Sequence, residues 1–316
     1  MMNTTVAKAD GLAKAYGATK AVDGVSFELR RGQVTALVGR NGAGKTTLIK
    51  LLLGLEPATA GTAVVLELEP AGTAEEIRRQ VGYVPENHQL YKWMTVAEIL
   101  AFTSAFYPTW DSELADELLR TFALEPDKKL GELSRGMLAK VALTLALAHR
   151  PKLLILDEPT SGLDAIIRHE FLESIIDVAA DEDRTVLISS HLLTDVERVT
   201  DDVLLMEEGR ILFAEELTSL QDRVREIRLT FDEAPPADFS LPGALRERGK
   251  DRERLCVVGD FGGNTLTELE GRFPGAKFEA RRLSLEEVFV ALVAGKTGAS
   301  PPDVGDAAKS REDVPR

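Results

Sequence analysis

The chain has 316 residues and a mass of 34.5 kDa, with 38 Lys+Arg against 52 Asp+Glu and hence a formal charge of −14. Such an acidic balance argues against broad electrostatic binding to nucleic acid or to an anionic lipid surface, although backbone amides and one lysine can still hold a phosphate locally. A single cysteine, Cys256, excludes an intrachain disulfide and a cysteine metal cluster and fits a reducing cytosol. No run approaches the roughly 18 consecutive apolar residues of a membrane span, and the opening Met-Met-Asn-Thr-Thr lacks the blocks of a secretory signal. The expectation is a cytoplasmic protein that can dock onto a membrane component without crossing the membrane itself.

The length predicts one large domain with a smaller appendage. Short β-type runs open the chain: Val6 to Ala9, Val22 to Leu29, and Gln33 to Val38 ending in Gly39. Glycine-rich turns separate them, which predicts a small β-layer feeding a core strand. A helical pattern follows Gly44 through Leu55, with Leu48, Leu51, Leu52 and Leu55 on one face. Ala63 to Leu68 and Val81 to Val84 read as strands. Residues 95–124 read as two helices broken near Pro108, with Asp111 and Ser112 as candidate caps of the second.

Ser134 is placed to cap a further helix whose apolar face is Leu138, Val141, Leu145 and Ala148, and Pro151 stops it. Leu153 to Leu156 and Thr185 to Ser190 are uninterrupted apolar runs, separated by a helical Ala165 to Ala180. Strands of that kind are buried on both faces, so they predict a parallel sheet between helical layers. Val203 to Met206 and Ile211 to Ala214 flank a turn at Gly209 and predict a hairpin. After about residue 218 the pattern shifts: strands near Ile227 to Phe231 and Leu255 to Val258 surround a helical Thr265 to Phe273, giving a small α+β domain over 219–296. The last twenty residues carry three prolines and no aromatic, which predicts a disordered tail over 297–316.

The most informative stretch is Gly39-Arg40-Asn41-Gly42-Ala43-Gly44-Lys45-Thr46, a full match to G-x-x-x-x-G-K-[ST] between an apolar strand and an apolar-faced helix. Glycines let the backbone curl so that successive N–H groups converge on an anion at a helix N-terminus. Lys45 then reaches the outer phosphates of a nucleotide, and the Thr46 hydroxyl is a ligand for Mg²⁺. Asp157 and Glu158 end the apolar run Leu153 to Leu156, at the tip of a buried strand where parallel sheets collect their ligands. An acid there can support the metal, and Glu158 is positioned to polarise a water. A solvated acidic pair capping the next turn is the plain alternative.

Downstream lie Leu133-Ser134-Arg135-Gly136-Met137, then Asp157-Glu158-Pro159-Thr160, Ser161-Gly162-Leu163-Asp164 and Ser189-Ser190-His191. In order and spacing these resemble the nucleotide-binding subunit of an ABC transporter, over roughly residues 5–215. The resemblance implies an α/β P-loop NTPase core with an antiparallel β-layer and a helical subdomain over about 86–150, an ATPase domain over 1–218, and ATP with Mg²⁺ as cofactors. It implies that the nucleotide is held by Gly39 to Thr47, with Tyr16 stacking on adenine; packing within the β-layer is the other reading of Tyr16. Glu158 becomes the general base and His191 the residue that contacts the γ-phosphate and orients the water.

The same resemblance implies that Ser134 and Gly136 act on nucleotide held by a second subunit, and that Asp164 couples the two sites. Arg135 and Met137 depart from the family's Leu-Ser-Gly-Gly-Gln segment, and Arg135 either adds charge near the phosphates or points outward to a salt bridge. Where the family carries a glutamine after the strand Val81 to Val84, this chain has Pro85-Glu86-Asn87. Glu86 can substitute as a metal ligand, with Asn87 the alternative. Arg282 to Phe289 resembles the closing helix of subunits that serve ABC-2-type exporters.

The implied partners are therefore a second ATPase subunit and a separate membrane permease, with no nucleic acid, and the implied location is peripheral on the cytoplasmic face of the membrane. The permease would dock on Glu86 to Trp110, where Tyr91, Trp93 and Trp110 are candidate anchors or, equally, core residues. The rival readings are a soluble ABC protein acting on ribosomes or DNA, and a module that holds ATP without cleaving it. The chain lacks a second cassette, a long coiled coil and an Asn-Lys-x-Asp base-reading segment.

Overall fold

The computed structural model describes residues 5–180, 184–236 and 239–297. In chain order its strands and helices are β1 (Thr5–Tyr16), β2 (Thr19–Arg30), β3 (Val34–Val38), α1 (Lys45–Leu52), β4 (Ala60–Val65), α2 (Pro70–Gln80), β5 (Val81–Val84), α3 (Val96–Ser104), α4 (Ser112–Thr121), α5 (Arg135–Leu147), β6 (Leu153–Asp157), α6 (Ala165–Ala180), β7 (Thr185–Ser190), α7 (Leu193–Val196), β8 (Asp202–Glu207) and β9 (Arg210–Glu216). Then follow α8 (Leu217–Arg223), β10 (Arg225–Phe231), β11 (Ala244–Lys250), β12 (Glu253–Val258), α9 (Thr265–Arg272), β13 (Ala276–Arg282) and α10 (Leu285–Thr297). The chain divides into two compact units, Met1–Thr218 and Ser219–Arg316. Apart from Thr297, the segment expected to form a tail lies outside the described residues.

The first unit is built on a six-stranded sheet of order β5-β6-β7-β3-β8-β9. Its first five strands run parallel and β9 pairs antiparallel with β8 as the expected hairpin. Every residue of β3, β6 and β7 is buried, as expected of strands covered on both faces. A second sheet, β2-β1-β4, is antiparallel. Its inward residues Leu12, Val25, Phe27 and Leu29 join Leu48, Leu52, Leu37 and Ile155 in one core, so α1 and the β-layer share a face of the central sheet. Burying each of these large apolar side chains contributes about 1.5–3 kcal/mol before entropy is counted.

Helix starts follow the polar signals of the sequence. Thr95 and Glu98 form a reciprocal capping box at α3, with Thr95 Oγ1 accepting from Glu98 N at 3.2 Å and Thr95 N donating to Glu98 Oε2 at 2.8 Å. Asp111 caps α4 through Leu114 N at 2.9 Å, and Ser134 caps α5 through Met137 N at 3.2 Å. Several expected boundaries differ, the first strand most of all, since β1 continues past Ala9 to Tyr16. The helix after Gly44 ends at Leu52 rather than Leu55, because Gly54 turns the chain at φ +62. The strand expected over Ala63 to Leu68 is Ala60–Val65, because Leu66 and Glu67 both take positive φ and reverse the backbone.

The second unit is a four-stranded antiparallel sheet of order β11-β12-β10-β13 with α9 and α10. Ile227, Leu229, Cys256 and Val258 share one face and pack with Leu269 and Phe273.

Candidate functional site

The carboxyl ends of the parallel strands meet at one edge of the central sheet, and β3 sits there between β7 and β8. The loop that leaves β3 curls over this edge because two glycines allow it. A Cβ on Gly39 would lie 2.1 Å from the Met206 carbonyl oxygen, and one on Gly44 would lie 2.2 Å from that of Ala21, with φ at +105. Only a residue without a side chain lets the loop pass this close to β8 and β2. Gly44 is also the N-cap of α1 and supplies no side-chain acceptor, and no acidic residue stands in the first turn. The first amide donors of α1 are thus left to an incoming anion, with the helix dipole favouring negative charge.

The loop from Asn41 to Thr47 lines an open cleft of about 500 Å³, together with Ala21, Glu86, Glu158, Ser161 and His191. Lys45 is buried, donates from Nζ to the Gly39 carbonyl oxygen at 2.8 Å, and stands 3.0 Å from Glu158 Oε1. Glu158 Oε2 lies 2.7 Å from His191 Nδ1 and also accepts from His191 N at 3.3 Å. One carboxylate therefore joins a lysine from the phosphate loop to a histidine at the end of β7. Glu158 holds a positive φ of +48, a cost of order 1–3 kcal/mol for a non-glycine residue, repaid by the exact aim of its carboxylate into the cleft.

Asp157 lies just behind, fully buried at the end of β6. Its Oδ1 accepts the Ser189 hydroxyl at 2.6 Å, while Ser189 Oγ accepts from Glu158 N at 2.9 Å. Ser189 thus locks both acids in place. Its role was not legible in sequence, where it stood only as part of the string before His191; the signal was a hydroxyl following the apolar stretch Val186 to Ile188 in a fully buried strand. Asp157 Oδ2 is buried without a hydrogen-bond partner among the described residues.

A larger cavity of about 540 Å³ lies away from the phosphate loop, between the segment after β5, α3, Tyr107 and α5. It contains Asn87, whereas Glu86 faces the phosphate cleft. His149 stacks on Tyr107 there, with ring centroids 4.1 Å apart, and burial pushes its imidazole below the usual range. His88, in the same cavity, is lowered by burial too. Burial, with Asp157 and Glu86 nearby, pushes the Tyr83 hydroxyl up to about 12.

The family model described as "ABC transporter" matches residues 22–161, the stretch from β2 through the acids of β6. The bacitracin transport ATP-binding protein BcrA of Bacillus licheniformis is 35% identical over 307 residues, covering 93% of this chain and 99% of that protein. The chain belongs to the ABC transporter ATP-binding family. A Nod factor export ATP-binding protein I, from Burkholderia orbicola (strain AU 1054), is 35% identical over 88% of this chain and 94% of its own length. A solved ATP-binding subunit of an ABC transporter superposes with a TM-score of 0.63 at 32% identity, covering 69% of this chain and 92% of that one. The chain is thus an ATP-binding, ATP-hydrolysing subunit of an ABC transporter.

The remaining sequence-predicted residues of this ABC ATPase fall outside the cleft lining. Tyr16 ends β1, is 47% exposed, and carries the Lys14 ammonium 4.9 Å from its ring centroid. Gly39 contributes its carbonyl to Lys45, and the Arg40 carbonyl lies 3.4 Å from the same ammonium. Ser134 is exposed at the start of α5, and Gly136 is buried where a Cβ would lie 2.5 Å from Ile167 Cγ2 of α6. Asp164 Oδ1 accepts from the amides of Ile166 and Ile167, both at 3.1 Å, and so opens α6. The Arg135 guanidinium lies over Gly162, 2.8 Å from where a Cβ would stand. Ala21 and Ser161 line the cleft although sequence reasoning assigned neither a role, Ser161 standing only as the first residue of the string that ends at Asp164.

Proposed function

We propose that the chain is one half of a two-subunit clamp that closes on two Mg·ATP and drives a separate membrane permease in export. The observation that carries this reading is the convergence of Lys45, Glu158 and His191 in one cleft, with contacts of 3.0 and 2.7 Å at the single carboxylate. The amides of Gly42 to Thr47 and the Lys45 ammonium bind the triphosphate, and its negative charge competes with Glu158 for the lysine. Glu158 then takes the proton of the attacking water as that water's oxygen bonds to the γ-phosphorus and ADP leaves. His191, held at Glu158 Oε2, orients the water and contacts the γ-phosphate. Tyr16 stacks on adenine, a contact worth about 1–3 kcal/mol per base in other systems.

The donor set suits Mg²⁺. Asp157 keeps one buried carboxylate oxygen without a donor, Thr46 and Glu86 offer oxygens from the cleft wall, and no group of three or more His, Cys, Asp or Glu forms a dedicated cage among the described residues. Mg²⁺ prefers a few oxygens plus substrate phosphates to such a cage. Thr46, Asp157 and Glu86 would hold the ion, which supplies charge neutralisation to the β- and γ-phosphates when bound.

Ser134 and Gly136 act on the ATP of the other subunit, whose Asp164 loop couples the sites. The exporter reading is supported by the relatives' names, one a bacitracin transport protein and another a Nod factor export protein. The permease docks on Glu86 to Trp110. Tyr91 is 50% and Trp93 68% exposed there, which suits anchors better than core residues. The protein thus works on the cytoplasmic face as a peripheral subunit. The change of contacts at residue 218 supports an ATPase domain over 1–218 and a separate domain over 219–296.

The deciding experiment is Glu158→Gln. Phosphate release should fall by about 10²–10⁴-fold while ATP binding persists and a dimer accumulates in size-exclusion chromatography with ATP. Turnover at the parent rate would remove Glu158 as the base.

A further inference from the structure

The sheet of the C-terminal unit has a second face. There the register aligns Glu226 and Arg246 on either side of Val257, and places Arg248 beside Leu255. Between this face and α10 lies a cavity of about 220 Å³. Leu255, Val257, Val290 and Ala291 form its apolar side.

The charges around it do not all cancel. Glu226, with a side chain only 8% exposed, receives Arg281 Nε at 2.7 Å and Arg248 Nη2 at 3.1 Å. Arg281 reaches on to Glu287 at 2.8 Å. Two arginines and two glutamates thus satisfy one another. Two lining side chains are left over: Arg246 on β11 and Glu286 in the first turn of α10 make no hydrogen bond or ion pair with the described residues. The cavity therefore presents one uncommitted guanidinium and one uncommitted carboxylate beside an apolar wall. An arginine fork matches a carboxylate in bidentate geometry, and a carboxylate accepts from an ammonium. The volume is below the ~300–1,000 Å³ of clefts that take drug-sized ligands, which limits the guest to on the order of ten non-hydrogen atoms.

We propose that this cavity is a binding site for a small zwitterion with an apolar side chain, an α-amino acid of the leucine class. Its carboxylate pairs with Arg246, its ammonium with Glu286, and its side chain covers Val257 and Val290. The site lies within the C-terminal unit and does not depend on the transport reading.

The test is calorimetric titration of the full chain with L-leucine, alongside 4-methylpentanoate, which lacks the ammonium, and 3-methylbutylamine, which lacks the carboxylate. Saturable leucine binding is expected, at least tenfold weaker in Arg246→Gln and in Glu286→Gln, with both single-charge probes also at least tenfold weaker than leucine. Unchanged circular-dichroism melting in the variants would confirm that they remain folded. The proposal is overturned if leucine, isoleucine, methionine and phenylalanine all fail to give saturable heat. It is equally overturned if neither variant weakens leucine binding, or if 4-methylpentanoate binds as tightly as leucine.

Discussion

Gly39 and Gly44 carry more of the candidate site than their lack of side chain suggests. Each would drive a Cβ to within 2.2 Å of a backbone carbonyl, and Gly44 holds φ +105 besides. A backbone atom cannot swing aside as a side chain does, so Gly39→Ala and Gly44→Ala should each lose about 2–4 kcal/mol in urea unfolding and should weaken nucleotide binding as the loop shifts. A pH effect belongs to the same scale. Burial holds the imidazoles of His149 and His88 below their usual range, so below about pH 6.5 the unfolded chain binds protons that the folded one refuses. Stability is then fully present above that value and declines as pH falls through the lowered range. The melting temperature should drop between about pH 7.5 and about pH 5.5. A His149→Phe variant, which keeps a ring against Tyr107, should drop less.

Among the elements, α3 is the clearest case of local sequence setting local structure. Its two reciprocal capping bonds lie at an exposed start, so Thr95→Ala should cost about 1 kcal/mol, read as a lower urea midpoint. The same kind of signal made Asp111 and Ser134 legible in advance, and the uninterrupted runs of β6 and β7 announced a buried parallel sheet. Other elements left little trace. Helix α2 begins at Pro70 and buries only Ile77, too thin a stripe to show a period. Strand β11 is Ala-Leu-Arg-Glu-Arg-Gly-Lys at the edge of its sheet, where polar residues replace alternation. In the site, the phosphate loop and both acids could be read because their chemistry demands particular residue types. Ser189, Ala21 and Ser161 could not, because only the folded chain sets Ser189 against the two acids and brings Ala21 and Ser161 to the cleft.

At the scale of the whole molecule, the placing of Ser134 and Gly136 outside the cleft that holds Lys45 sets a clear expectation. On the proposed two-subunit clamp one chain alone would carry an incomplete site, so ATP turnover per chain should rise with protein concentration before levelling off. Assays of phosphate release over a wide dilution series check this; a rate per chain that stays constant throughout would show that a single copy suffices.

The lone thiol has a practical bearing on such work. Cys256 is 0% exposed, and burial pushes it up to about 12, so in the folded protein it is neither reachable nor ionised near neutrality. A cysteine introduced at any exposed position would therefore be the sole address for a maleimide dye or spin label, and inter-subunit distances could be tracked without first stripping the native sequence.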